Sequence, residues 1–409
     1  MLTIEDRNDL FESISFLIED YIRINIHQYI QPTFHSNMVR DITLAITQLL
    51  EEIDIDLTDW VGSEVERAIV GFYKHIIPPR ANGPTFIRVK PNINHMRQKI
   101  AYLQQVPQPE QRTSEWYEFR YKHLTASNIW KAFISVSTRN QLIYEKCQPL
   151  NVERYSSSGS GSGSVSLESP MHWGQKYEPL SVMLYEKIYD APVSDFGCIP
   201  HKTIEFLAAS PDGIVTAETS LRYGRMLEIK NIVNREINGN PKMEYWVQMQ
   251  LQMEVCELNE CDFLETRFQE YADLAAFEAD TETPYKGMLM LFMTSNGKPV
   301  YEYAPLELNL AELETWQETM MDKNPSLMWM KNIYWKLDQL SCVLVLRNKV
   351  WFAAALPQLK EIWETIEREK QTGYSHREPK KSGLRVKKIY PASEEDITMK
   401  AQCFINIET

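Results

Sequence analysis

The chain has 409 residues, room for two domains or for one with a large extension, and its 44% hydrophobic content with 10 Trp is that of a globular protein with a sizeable core. Its 43 basic and 56 acidic residues give a net charge of −13, which speaks against a surface that grips nucleic acid everywhere and leaves room only for a local basic channel. No apolar run approaches the ~18 residues of a membrane span, and the start Met1-Leu2-Thr3-Ile4-Glu5-Asp6 has neither the basic nor the apolar region of a secretory signal.

Residues 8–77 repeat apolar side chains at helical spacing. Phe11, Ile14, Ile18, Tyr21 and Ile22 form one stripe, and Val39, Ile42, Ile46, Leu49, Leu50 and Ile53 a second. A third helix is expected from Gly62 to Ile77, stopped by Pro78-Pro79. With the Pro- and Asn-rich connector that follows, which carries one helix near His95–Gln105, these residues make a helical N-terminal domain over 1–105. Their stripes read as core, with a partner-binding surface as the alternative.

A core domain is expected over 106–305. Inside it the Gly/Ser tract at 155–169 is a flexible coil, either a plain insertion or a substrate gate. A helix is expected from Met171 to Tyr189, then strands near Phe206–Ala209, Gly213–Thr216 and Arg225–Ile232. A Gln-rich buried helix spans Lys242–Cys256, and further strands lie near Phe263–Phe268, Lys286–Met293 and Val300–Tyr303. Helices at Leu310–Met321 and Met328–Leu337 make 306–375 a helical C-terminal region that completes the core. This alternation predicts an α/β fold with a short mixed central sheet flanked by helices. A basic, mobile tail over 376–409 contains Arg377, Lys380, Lys381, Arg385, Lys387 and Lys388; a solvated tail and a phosphate contact are its two readings. The six cysteines form no CxxC pair, and Cys198 with His201 lacks a partner pair of zinc spacing, so buried reduced thiols are expected.

The chemistry concentrates in Ser210-Pro211-Asp212-Gly213 and Leu227-Glu228-Ile229-Lys230. Two carboxylates and an ammonium are what divalent-metal phosphodiester cleavage requires, because Mg²⁺ prefers a few carboxylate oxygens plus substrate phosphate. In a strand, Glu228 and Lys230 share one face while Leu227 and Ile229 point to the core. Asp212 lies on a turn just before an adjacent strand, which would bring it beside Glu228. Alone, the pattern also suits a surface strand with a salt bridge.

Three more motifs follow the same order. They are Thr113-Ser114-Glu115-Trp116 with Arg120 and Thr125-Ala126-Ser127, then Trp173-Gly174 with Glu178-Pro179 and Tyr185-Glu186, then Tyr245 with Gln248, Gln250 and Met253. Together with the Pro-Asp and Glu-x-Lys elements, they resemble the phage lambda-type exonuclease family, viral recombination nucleases of the restriction-endonuclease-like PD-(D/E)xK superfamily. The resemblance covers roughly residues 106–295 and leaves both ends of the chain uncovered.

The resemblance implies a restriction-endonuclease-like core and a metal-dependent 5′-to-3′ exonuclease acting on linear double-stranded DNA. It implies Asp212, Glu228 and Glu178 as ligands of one or two Mg²⁺ or Mn²⁺ ions, and Lys230 and Gln248 as further catalytic residues. Arg120 and Ser127, with Thr125, Tyr245 and Gln250, would bind the 5′-phosphate and the DNA; guanidinium and helix-start hydroxyl groups suit phosphate oxygens. A salt bridge from Arg120 to Glu115 or Glu118, exposed amides on the Gln helix and a surface role for Glu178 are the bland alternatives. Of Gln248 and Gln250 only one can face the centre from a regular helix, and Gln248, with Tyr245 beside it, is preferred. The family often has Cys-Pro after Glu-x-Lys, where this chain has Asn231-Ile232. A homo-oligomer, a single-strand annealing protein as partner, and an intracellular location (cytoplasm, nucleus or viral factory) complete the implications, although ring formation does not follow from the sequence. An endonuclease of the same fold and a non-catalytic DNA-binding recombination scaffold are the rival readings.

Overall fold

The computed structural model describes residues 4–25, 34–52, 58–75, 81, 92–150 and 169–379. Most of the Gly/Ser tract and the basic residues from Lys380 onward lie outside them. The chain forms two compact units, and both are discontinuous. The first takes 1–79, 127–148 and 348–409; the second takes 80–126 and 149–347. The contiguous partition expected from the sequence is thereby corrected: the last long helix groups with the N-terminal helices and not with the core.

In the first unit, α1 (Ile4–Asn25), α2 (Phe34–Glu52) and α3 (Thr58–His75) bury Ile14, Ile18, Met38, Ile46, Val65 and Ile69 against one another. Two stripe residues assigned to the core are instead exposed, Phe11 at 43% and Leu49 at 53%, because Leu10 and Leu50 take the inward positions. The helix start at Thr58 precedes the expected one by a turn.

The second unit begins with α4 (Ile93–Gln105), capped by the Asn92 side chain, and α5 (Ser114–Tyr121), capped by Thr113. The two-residue strand β1 (Leu124–Thr125) follows. The chain then crosses into the first unit through α6 (Ala126–Ile129), α7 (Lys131–Ile134) and α8 (Val136–Cys147), none of which the sequence periodicity revealed.

Returning, α9 (Pro170–Tyr189) starts at a Ser169 cap with Pro170 in the first turn, where a missing N–H costs nothing. It ends at Asp190, whose φ of 47° is left-handed. Short strands β2 (Val193–Ser194), β3 (Ile199–Pro200), β4 (Leu207–Ala209) and β5 (Gly213–Val215) lead to β6 (Met226–Asn231), α10 (Met243–Val255) and β7 (Glu260–Glu270). After α11 (Leu274–Ala279) come β8 (Lys286–Met293), β9 (Pro299–Tyr303), α12 (Leu310–Lys323) and β10 (Met328–Leu346), and α13 (Lys349–Thr372) belongs to the first unit.

Seven strands form one sheet in the order β2-β5-β6-β7-β10-β8-β9, and β1-β4-β3 form a smaller one. Within the large sheet β6 and β7 run parallel and the other neighbouring strands antiparallel. In it β10 has 19 residues and pairs with both β7 and β8. This overturns the helix expected at Met328–Leu337, and with it an all-helical 306–375. The segment's apolar residues satisfy either period, and the buried Ile333 and Trp335, two apart, are in phase with a strand.

Alternation along β6 divides the interior. Leu227 and Ile229 pack with Tyr185 of α9 and Leu264 of β7. Further along, Tyr177, Leu180 and Leu184 of α9 pack on Phe268, Leu289, Ile333 and Trp335. The opposite face of β6 is covered by α10, which buries Trp246, Val247, Met249, Leu251, Met253 and Val255. Asp262, 1% exposed at the start of β7, accepts hydrogen bonds from Tyr185 Oη at 2.7 Å, Arg222 Nη1 at 2.5 Å and Arg225 Nη1 at 3.0 Å. Removing the carboxylate leaves two part-buried guanidinium groups without it. Asp262→Ala is expected to destabilise the protein by about 3–5 kcal/mol, read as a shift in the chemical denaturation midpoint.

Candidate active site

The hairpin of β5 and β6 builds the site. Gly213 pairs with Leu227 and Ile214 with Met226, which sets Asp212, one residue outward, level with Glu228. Glycine is required at 213, since a Cβ there would collide with Val193 Cγ1 on β2. Asp212 Oδ2 accepts the Ile229 N–H at 2.7 Å, tying the Pro-Asp loop to the Glu-x-Lys strand.

Glu228 is 0% exposed, so its strand is not the surface strand with a salt bridge that was the alternative reading. Three donors hold it. Lys230 Nζ pairs with Oε1, Gln248 Nε2 donates to Oε1 at 2.7 Å, and Gln252 Nε2 donates to Oε2 at 2.7 Å. Gln252 also reaches the Ser210 carbonyl at 3.2 Å, binding α10 to the Pro-Asp loop. Gln252 was missed by sequence reading; its spacing of one helical turn from Gln248 was the available signal. Tyr245, a turn before Gln248, lies under the Lys230 ammonium, 5.0 Å from ring centroid to Nζ.

Glu178 sits on α9, and Arg112 Nη2 donates to both its oxygens at 3.1 and 2.9 Å. Pro179 follows it inside the helix and removes one ladder donor. Nearby helix carbonyls are taken by side chains: Asn231 Nδ2 donates to Gly174 O at 2.9 Å and Tyr303 Oη to Lys176 O at 2.6 Å. Asn231 is further bound to Ser181 and Thr266, each at 2.7 Å.

The carboxylates act on one another. Burial pushes the Asp212 carboxyl well above the usual range, and the fields of Glu228 and Glu178 push it further, against Lys230. Burial raises Glu178 too, with Arg112 and Lys230 opposing and Glu228 adding to the rise. Burial works against the Lys230 charge, but the Glu228 and Asp212 carboxylates overcome it and keep the ammonium protonated. A cluster of hard oxygens short of positive charge fits a hard divalent cation. Among the described residues, however, no group of three or more His, Cys, Asp and Glu side chains is already gathered as a metal cage. Their oxygens are engaged by the amides, Lys230 and Arg112.

The remaining candidates divide. Arg120 stacks over Trp116, 4.2 Å from guanidinium carbon to ring centroid, and Trp116 Nε1 donates to Ser210 Oγ at 3.1 Å. Gln250 does not face DNA: it is 1% exposed and donates to the Leu346 carbonyl at 2.9 Å, the opposite direction from Gln248. Thr125 is likewise 1% exposed, held inside by β1 pairing with β4, with a buried hydroxyl oxygen lacking a partner. Ser127 lies in α6, in the first unit, whereas Arg120 lies in the second. The tail's Arg377 is engaged with Glu369, its Nε 2.5 Å from Oε2.

A mixed sheet thus carries Pro-Asp and Glu-x-Lys on a hairpin flanked by α9 and α10. Residues 115–259 match the YqaJ-like viral recombinase domain. An uncharacterized protein of Acanthamoeba polyphaga mimivirus is 28% identical over 345 residues, 74% of this chain and 60% of the relative, so the chain spans 60% of that relative's length. The alkaline exonuclease of Laribacter hongkongensis is 20% identical with a TM-score of 0.37, and a phage-related exonuclease of Haemophilus somnus 10% with 0.31. Each covers 64% of this chain and 95% of its own. At those scores residue assignments rest on this chain's own geometry.

Gln252→Leu deprives a fully buried carboxylate of one of its donors. It is expected to lower stability by about 1.5–3 kcal/mol, the range for a hydrogen bond to a charged group, measured by denaturant titration.

Proposed function

We propose that the chain is a divalent-metal-dependent deoxyribonuclease that removes one strand of linear duplex DNA from its 5′ end. The observation that carries this reading is the hairpin that sets Asp212 level with Glu228, itself paired with the Lys230 ammonium. Asp212, Glu228 and Glu178 would hold the cation, which when bound supplies acidity to a water and offsets charge on the phosphoryl group.

The chain's residues supply the rest. Gln248 and Gln252 fix the Glu228 carboxylate in one orientation, so that it need not reorganise when substrate arrives. Lys230, paired with Glu228, is a source of positive charge for the phosphate in the transition state. Arg120 offers a planar fork for a terminal phosphate, kept extended by Trp116. Removal of the 5′-ended strand leaves a 3′-ended single strand, the substrate for an annealing partner in viral-type recombination.

The decisive assay is digestion of an end-labelled linear duplex, comparing 5′-phosphate with 5′-hydroxyl ends, with and without Mg²⁺, beside covalently closed circles. Loss of the 5′-phosphorylated strand only with metal, and intact circles, is expected; cut circles would establish an endonuclease instead. Glu228→Gln and Lys230→Met are each expected to lower the rate by about 10²–10³. Wild-type activity retained in Glu228→Gln would overturn the mechanism. In the absence of DNA, Mg²⁺ at a hundredfold its Kd is expected to stabilise the protein by about 2.7 kcal/mol, an effect absent in Asp212→Asn.

A further inference from the structure

We propose that Arg112 is a phosphate-binding residue for the DNA strand, stored on Glu178 until a divalent cation takes that carboxylate. The inference rests on the nuclease reading and adds a residue to it.

Arg112 stands at the rim of the carboxylate cluster. Its side chain is 47% exposed and that of Glu178 31%, whereas Glu228 is at 0%. Glu178 is thus nearer the solvent than Glu228. One guanidinium nitrogen, Arg112 Nη2, occupies both of its oxygens. A cation that takes Glu178 competes with that nitrogen for the carboxylate oxygens, and a displaced guanidinium remains beside the site.

The backbone aims it there. Arg112 has a φ of 69°, left-handed and uncommon for a residue with a Cβ. It directly precedes Thr113, the cap of α5, the helix that carries Trp116 and Arg120. Its neighbour Gln111 donates from Nε2 to the Phe196 carbonyl at 3.0 Å and the Pro211 carbonyl at 3.1 Å. The turn is therefore fastened to the residue before Asp212, while Trp116 is fastened to Ser210. Arg112 and Arg120 flank one short helix held to the Pro-Asp loop. Guanidinium exchanges a carboxylate for a phosphate with little loss, since both accept its fork in the same geometry. The exchange conserves charge: the cation replaces Arg112 on Glu178, and phosphate replaces Glu178 on Arg112.

The pair is half-exposed and correspondingly weak, which makes it displaceable. A pair of that kind is worth about two- to fivefold in an equilibrium constant. Calorimetric titration of Mn²⁺ into DNA-free Arg112→Gln protein is expected to show about two- to fivefold tighter binding than wild type, with Arg112→Lys close to wild type. A side chain serving structure alone would not tighten the metal.

Binding to a 5′-phosphorylated linear duplex in Mn²⁺, with turnover suppressed by Lys230→Met, gives the second readout. Adding Arg112→Gln to that background is expected to reduce the slope of log K against log salt by about 0.9, one phosphate contact. Arg112→Lys restores it. Unchanged Mn²⁺ affinity in Arg112→Gln, or an unchanged salt slope, overturns the role of Arg112 while leaving the nuclease reading intact. A wild-type chain that neither binds nor cuts duplex DNA overturns both.

Discussion

A carboxylate with no exposure to water is the constraint on which the site depends. Burying the Glu228 charge is costly unless it is paired and its oxygens hydrogen-bonded. The surrounding structure meets that condition with one ammonium and two amides, delivered by two elements: β6 through Lys230 and α10 through Gln248 and Gln252. This explains an otherwise odd helix. α10 is buried nearly all round, and yet it carries three glutamines, of which two end on the same carboxylate and the third satisfies a strand carbonyl at Leu346. All three glutamines donate to a specific acceptor, and these contacts fix α10 against the strands.

Asp212 is positioned by the same logic from the other side. The hairpin register places it, the Ile229 amide holds one oxygen, and the close approach of β2 to Gly213 closes the turn. Because Gln252 also grips the Ser210 carbonyl, a shift in α10 would move the loop of Asp212 along with Glu228. The two carboxylates are therefore coupled mechanically as well as through their fields. The charge they generate decides the role left for Lys230, whose proton they retain.

Much of this was legible in the sequence. Period-two alternation located β6, and the Pro-Asp-Gly turn located the hairpin, because both signals are local. Two kinds of information were not local. β10 was misread because Met328, Trp329, Met330, Ile333 and Trp335 fit a helix as well as a strand, and only its pairing with β7 and β8 decides between them. The two discontinuous units were hidden because no composition change marks residues 127 or 348. In the site, Glu228 and Lys230 were readable from spacing, whereas Gln252 and Arg112 were not: each matters through a partner distant in sequence, at 228 and 178. Gln250 and Thr125 erred the other way, since a motif position carries residue type but not burial.

The departure at Asn231 shows how the same geometry is kept with different residues. Asn231 immediately follows Lys230 on β6 and joins Ser181, Thr266 and the Gly174 carbonyl in one hydrogen-bonded cluster. Ser181 and Gly174 lie on α9 on either side of Glu178, so the cluster fixes the helix to the strand on both sides of that residue. Pro179 makes such fixing necessary, because it weakens the helix at the very next position. The half-buried amide of Asn231 thus ties β6 to α9 on both sides of Glu178. A cation and Arg112 can then compete for Glu178 without the helix having to move, so the exchange requires only side-chain rotation at the rim while the carboxylates beneath stay in place.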